Sequence, residues 1–572
     1  MSGVDGVWSP TVLAEQWRGQ VMQGMSGASP RLRAAVVAPH AAAADAGAGV
    51  LAEGGNAVEA MVAAAAAIAV VYPHMNSLGG DGFWLIQEPD GRTQGIDASG
   101  VAAARADAGE LRAQGCSRIP HRGPLAANTV AGTVAGWEQA LAFSADRLQG
   151  RMPISRLLAP AIAMARDGIP ATRGHAGTLA DKLDELVDQP GFATTFLIDG
   201  RVPQAGERVT QPQLADTLQR LAEAGPADFY TGDLAATMAA ALEAAGSPIR
   251  LDDLRRFRVR TVSPLSLSTP AARLLNFPPP TQGLASLLIL GLYQRILQRH
   301  PHASESAGQV HALVEATKLA FRVRDHVITD PERVPVEPAA FLDQRWLDRA
   351  LAGFDPDRAA PWPDPRPVHP PGGDTVWLGA VDAAGCKVSF IQSTYHEFGS
   401  GVVAGATGIV WQNRGCSFSL EPGHLNLLEP GRRPFHTLNP ALANTTDGRS
   451  VVYGTMGGEG QPQTQAAVFS RAILHGLAPD RAVAAPRWLL GRTWGSGNDN
   501  LKLEQDTDPA VVQGLRERGH ALELVPACNA MMGHAGLLIV DSDGHGVRGA
   551  SDPRCDGAVV GVDAAGRVVR PA

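Results

Sequence analysis

Cysteine is scarce in this chain, and the few that occur stand apart. Five cysteines (Cys116, Cys386, Cys416, Cys528 and Cys555) are spread over 572 residues with no C-x-x-C pair, which excludes a disulfide framework and a zinc knuckle. Neither H-E-x-x-H nor a clustered His/Asp set occurs, so no metal and no other cofactor is expected. Excess basic charge is missing too: the formal net charge is −8, which argues against nucleic acid or an anionic membrane surface as partner. A small anionic substrate stays open, because it responds to local charge. Long apolar runs are also absent. The longest, Ala60 to Tyr72, is dominated by alanine and stops at Pro73; it is too short to span a bilayer and reads as a buried helix. Met1 to Trp8 has neither a basic segment nor an apolar one, so no secretory signal is read and a reducing, cytoplasmic setting is expected.

With 45% hydrophobic and 19% charged residues the chain is globular, and its length calls for more than one packed layer or domain. Residues 1–34 are weakly patterned and expected to lie on the surface. Ala35-Val36-Val37-Ala38 reads as a strand, followed by a helix from about His40 to Ala52. Gly54-Gly55-Asn56 ends that helix and caps the next, near Ala57. Leu78-Gly79-Gly80-Asp81-Gly82 delivers the chain into an apolar strand. It does not suit a phosphate loop, since no Lys-Ser/Thr follows and a strand, not a helix, comes next. Residues 133–300 are mostly helical by period and look like scaffold, and Val310 to Val327 is an amphipathic helix.

The informative stretch is Pro370 to Asp382. Phe354 to Pro371 is proline-dense and cannot form a helix or an interior strand. Past Thr375, Val376, Leu378 and Ala380 alternate with Trp377, Gly379 and Val381; Asp382 to Gly385 is a turn, and Lys387 to Ile391 returns as a second strand. An arm thus runs into a threonine that opens a buried hairpin. A threonine hydroxyl is a poor nucleophile without a base in reach. An α-amino group, with a reference pKa of about 7.7–8.0, can be that base for its own residue. To free it, the Asp374–Thr375 bond must be cut, and Gly372 and Gly373 permit the backbone geometry of a self-attack. On these residues alone, a plain loop leading into a strand stays open. Further on, Val451 to Gly460 is a strand ending in a glycine nest before a helix from about Thr464, where adjacent amides can hold an oxyanion.

Several segments in order resemble the γ-glutamyltranspeptidase family of N-terminal nucleophile hydrolases. They are Gly54-Gly55-Asn56-Ala57-Val58, Pro73-His74-Met75, Gly79-Gly80-Asp81-Gly82-Phe83, Gly132 to Gly136, Asp374-Thr375, Phe398-Gly399-Ser400-Gly401, Gly457-Gly458 and Ser551-Asp552-Pro553-Arg554. The resemblance runs from about Ala35 to Val559. It implies an α+β fold, the four-layer αββα sandwich of two stacked, mainly antiparallel sheets flanked by helices. It also implies a precursor that cuts itself into a helix-rich large subunit, 1–374, ending in the Pro-rich arm 354–374, and a small subunit, 375–572. These would pair as a heterodimer, with a dimer of heterodimers open. By the same resemblance Thr375 is nucleophile and, through its amine, base; Ser393 is the second hydroxyl, where a threonine is usual; and the amides of Gly457 and Gly458 form the oxyanion hole.

Substrate recognition departs from the family pattern. Ser99 stands where glutamyl-binding members have an arginine, His436 and Thr437 where they have paired serines, and Ser417 where an acidic residue takes the substrate ammonium. Tyr395 replaces a common asparagine and Arg414 an uncharged side chain. Losing a carboxylate and gaining a guanidinium shifts the pocket toward anions without an amine; an arginine–carboxylate pair contributes about 1.5–3 kcal/mol. Arg414 pairing with Glu459 or Glu421 is the alternative, and Tyr395 is either a substrate-side lid or donor or wall packing. The segments Gln392 to Gly401, Trp411 to Gly415, Pro434 to Pro440 and Arg487 to Gly495 are similar to one branch, the oxamate amidohydrolases of bacterial purine and allantoin breakdown. The expectation is therefore a self-processing amidohydrolase acting on a small anionic amide. Rival readings are a γ-glutamyl transferase or hydrolase, a cephalosporin-type acylase, or a processed but inactive metabolite-binding scaffold.

Overall fold

The structure is a computed structural model that describes residues 31–362, 374–492 and 498–571. Most of the segment 1–34, the arm from 363 onward with Gly372 and Gly373, and Thr493 to Gly495 lie outside the described residues.

Local signals set the first elements. Strand β1 (Leu32–Ala38) leads into α1 (Ala41–Ala52). Asn56 then caps α2 (Ala57–Val71): its side chain accepts from the N–H groups of Val58 and Glu59 while the Glu59 carboxylate takes the Asn56 N–H, a box that contributes about 1 kcal/mol. All 15 residues of α2 are buried, and alanine lets it approach both α1 and a sheet. Strands β2 (Asp81–Gln87) and β3 (Thr93–Ala98) follow, then α3 (Thr133–Arg147) and α4 (Ile154–Asp167). The stretch expected to be mostly helical also holds β4 (Arg260–Val262), β5 (Leu265–Ser268) and β6 (Ala272–Asn276). They are too short for a period of two to outvote the helices around them. Beyond lie α5 (Gly283–Arg299) and α6 (Ala307–Val327), then β7 (Asp374–Val381) and β8 (Lys387–Tyr395). The rest adds β9 (Ala441–Thr445), β10 (Ser450–Thr455), α7 (Gln461–Phe469), β11 (Ala535–Val540), β12 (Val547–Ser551), β13 (Ala558–Asp563) and β14 (Val568–Val569).

The strands run in the order β4-β3-β2-β8-β7-β1, with β13 and β14 beyond β1, and β12-β11-β10-β9-β6-β5. Every pairing in both runs is antiparallel. One pair, Leu32 with Val547, links the two sheets along an edge. Alternate residues then divide between faces. Val37, Phe83, Trp377 and Ile391 of the first sheet meet Leu275, Val452 and Leu538 of the second. Val376, Leu378, Phe390 and Trp84 face outward under α1–α4. Leu274, Tyr453 and Leu537 face outward on the other side, under α5–α7. The result is helix, sheet, sheet, helix. Trp377 is the keystone of the middle layer: a Cβ on Gly454 would stand 2.2 Å from its indole and one on Gly536 2.7 Å away. Its ring needs two bare glycines opposite it. Thr375, two residues earlier, shares its face and so lies between the sheets at their end.

Candidate active site

The hairpin of β7 and β8 is regular until Gln392, opposite Val376, and then slips so that Tyr395 pairs with Asp374. This bulge bends the strand end and leaves Tyr395 at φ +84, a conformation that costs a non-glycine residue on the order of 1–3 kcal/mol. Ser393, in step with Ser389 and Ile391 along β8, faces inward. Its Oγ accepts from the Tyr395 N–H at 2.8 Å and lies 3.3 Å from Thr375 Oγ1. The last distance is long for a hydroxyl pair, so the two oxygens are neighbours rather than tightly bonded. Both residues are buried.

Under β7, β10 ends at Thr455 and the chain turns through Gly457 (φ +121) and Gly458 (φ +51). Such angles favour glycine. Among the described residues neither glycine N–H has an acceptor, although both residues are buried. Unpaired buried amides are rare and costly, and a pair of them in this place can receive a developing oxyanion. Their carbonyl side is anchored. Gln282 Nε2 donates to the Gly458 oxygen at 2.9 Å and to the Thr437 oxygen at 2.8 Å. Arg324 in turn holds Gln282 Oε1 at 3.2 Å and Glu459 at 3.1 Å. Gln282 and Arg324 escaped sequence reasoning, which took residues 133–300 as scaffold and Val310 to Val327 only as an amphipathic helix.

The residues expected to face a substrate fall into three groups. Arg414 is 1% exposed, its guanidinium stacked 3.8 Å above the Tyr395 ring and 3.5 Å from Thr437 Oγ1. Among the described residues no carboxylate pairs with it; Glu459, one expected partner, is taken by Arg324. Burial pulls Arg414 down to about 10, so it is still charged at neutral pH. The Tyr395 hydroxyl is raised by the same burial against the Arg414 charge and stays protonated. His436 comes next to Thr437 but faces elsewhere, with Nε2 3.1 Å from Asp81 Oδ2. Ser417 is a correction: its hydroxyl lies 3.0 Å from the Arg414 oxygen and 2.9 Å from the Phe435 oxygen, bracing the Arg414 turn instead of facing a ligand. Ser99 is likewise turned onto Asp97.

Away from this site, His311, Glu315 and His520 gather closely enough to hold a metal ion. Their donors are spent, however: His311 is 2.8 Å from His520 and 2.9 Å from the Asp355 oxygen, and Lys318 binds Glu315 at 2.7 Å. Among the described residues no helix is long and apolar enough to cross a membrane.

A family model described as Gamma-glutamyltranspeptidase matches residues 43–562. The chain belongs to the γ-glutamyltranspeptidase family. Within that family it is 51% identical over 525 residues to the oxamate amidohydrolase proenzyme of Klebsiella pneumoniae, covering 92% of this chain and 98% of that protein. It is 39% identical to the glutathione hydrolase-like YwrD proenzyme of Bacillus subtilis, over 92% and 98% of the two chains. The solved cephalosporin acylase from Bacillus halodurans superposes with a TM-score of 0.83 at 31% identity, covering 93% of this chain and 96% of that one. The sandwich is thus the α+β fold of the γ-glutamyltranspeptidase-like N-terminal nucleophile hydrolases, and this family member is an enzyme acting on amide bonds.

Proposed function

We propose that the chain matures by cleavage between Asp374 and Thr375, and that Thr375 then hydrolyses oxamate to oxalate and ammonia in purine and allantoin nitrogen breakdown. The Thr375 hydroxyl attacks the amide carbon while its α-amine takes the proton. The amides of Gly457 and Gly458 receive the negative oxygen, and the amine returns the proton to departing ammonia. Water then attacks the ester along the same proton path, releasing oxalate. The observation that carries this reading is Arg414, a buried cation without a carboxylate partner among the described residues. A γ-glutamyl substrate also brings an ammonium, and the position that would answer it is Ser417, a neutral hydroxyl whose proton goes to backbone oxygens and which carries no charge to match it. The name of the Klebsiella relative points the same way.

Cleavage would leave the fragments interleaved. β7 and β8 of the second fragment lie between β1 and β2 of the first, so the two would stay together as a heterodimer. Two measurements test the proposal. Mass spectrometry of purified protein should find fragments 1–374 and 375–572. Steady-state assays should find ammonia released from oxamate; turnover of a γ-glutamyl anilide alone would replace oxamate with the larger-substrate reading.

A further inference from the structure

Two ionisable side chains beside the pocket have no part in that reaction. Asp81 opens β2 as the cross-strand neighbour of Ser393, and its Oδ2 faces His436 Nε2 at 3.1 Å with both side chains buried. The surroundings hold the pair rigidly. His436 N–H donates to the Pro280 oxygen at 2.8 Å, its carbonyl accepts from Gln282 N–H at 3.0 Å, and its ring stands edge-on to Phe83. Asp81 Oδ1 accepts from Gly100 N–H and Gln412 Nε2, each at 2.9 Å. By contrast, Asp81 Oδ2 and both ring nitrogens of His436 have no aligned hydrogen bond among the described residues. One proton between the two facing edges would satisfy both.

Charge explains why that proton matters. Arg414 bears on Asp81 and on His436 alike, and the other charged groups facing the imidazole are Asp97 and Arg433. An ionised Asp81 partly offsets the Arg414 charge before an anion arrives. A carboxylate arriving at Arg414 would put two negative groups against one guanidinium in a low-dielectric site, which is costly unless one is neutralised. We infer, resting on the reading of Arg414 as the anion receptor, that Asp81 and His436 form a one-proton pair that protonates as the pocket fills, so that a small carboxylate binds together with a proton. Burial pushes Asp81 up to about 7, against the Gln412 and Gly100 hydrogen bonds, and holds His436 well below its usual value. The exchange therefore falls near neutral pH. Both are positioning residues that act through Arg414 and do not touch the reacting carbonyl.

The test is calorimetric titration of the mature enzyme with oxalate at pH 7.5, in two buffers of different protonation enthalpy. Uptake of roughly half a proton or more per oxalate is expected, shrinking toward pH 6, with the oxalate inhibition constant rising about tenfold per pH unit above 7. Asp81→Asn should abolish the uptake and flatten that rise, while a second variant, His436→Gln, should weaken both. Oxalate binding that Arg414→Gln weakens but that takes up no proton in the wild type overturns the pair and leaves the anion receptor standing. Uptake that survives in Asp81→Asn belongs to the Thr375 amine and overturns the assignment. If oxalate does not bind at all, the receptor reading fails and this inference with it.

Discussion

Two buried clusters of arginine in this molecule differ in one respect. Beneath the glycine turn, Arg487 and Arg554 share Asp552, and Arg554 also grips Glu504. Arg487 donates further to the Gly533 oxygen at 2.6 Å, and Asp552 takes the Ala535 N–H at 2.7 Å. Burial would raise the Asp552 carboxyl, but the two guanidiniums outweigh it and hold it below its usual range. The cluster is closed: each charge has its answer inside the protein. Among the described residues Arg414, equally buried, touches only an aromatic face and a distant hydroxyl, with the Asp81 carboxylate acting on it from farther off. A stacked guanidinium over tyrosine is worth about 0.5–2 kcal/mol, far less than a buried carboxylate pair. The closed cluster fixes backbone. The open one is left for something that arrives.

Four substitutions would sharpen or break that contrast. Thr375→Ala should have the largest effect: an uncut chain by mass spectrometry and no detectable turnover. Asp552→Ala strands the buried Arg487 guanidinium, leaving Arg554 with Glu504 alone, and should cost about 3–5 kcal/mol of stability, read by chemical denaturation. It should also loosen Gly533, which packs within 3.1 Å of where a Gly457 Cβ would stand. Arg414→Gln should raise KM for oxamate roughly ten- to a hundredfold, since an arginine–carboxylate bond contributes about 1.5–3 kcal/mol. Its resistance to denaturant should not fall, and self-cleavage should proceed. A stability loss matching that of Asp552→Ala would erase the distinction. Ser393→Ala should be mildest, about two- to tenfold in kcat, because its contact with Thr375 is long and a neutral hydrogen bond is worth about 0.5–1.5 kcal/mol.

Much of the frame was legible from spacing. The Asn56 cap, the alanine helix after it and the hairpin past Thr375 all carry local signals, and each appears where the pattern put it. The strands between Arg260 and Asn276 did not, because three to five residues cannot display a period against helical neighbours. Among the candidate residues, Arg414 lies 3.5 Å from Thr437 Oγ1, an approach that no spacing along the chain announced. Ser417 and His436 were assigned by position in a motif, which says nothing of where a side chain turns.

The sequence by itself determined where the threonine stands, which strands flank it and which family the chain resembles, because those are properties of neighbours along the chain. Only the tertiary structure decided which charges are answered. Arg324 meets Glu459 and Asp81 meets His436 across long separations in sequence, and compensation of charge depends on distance through space in a medium that screens poorly.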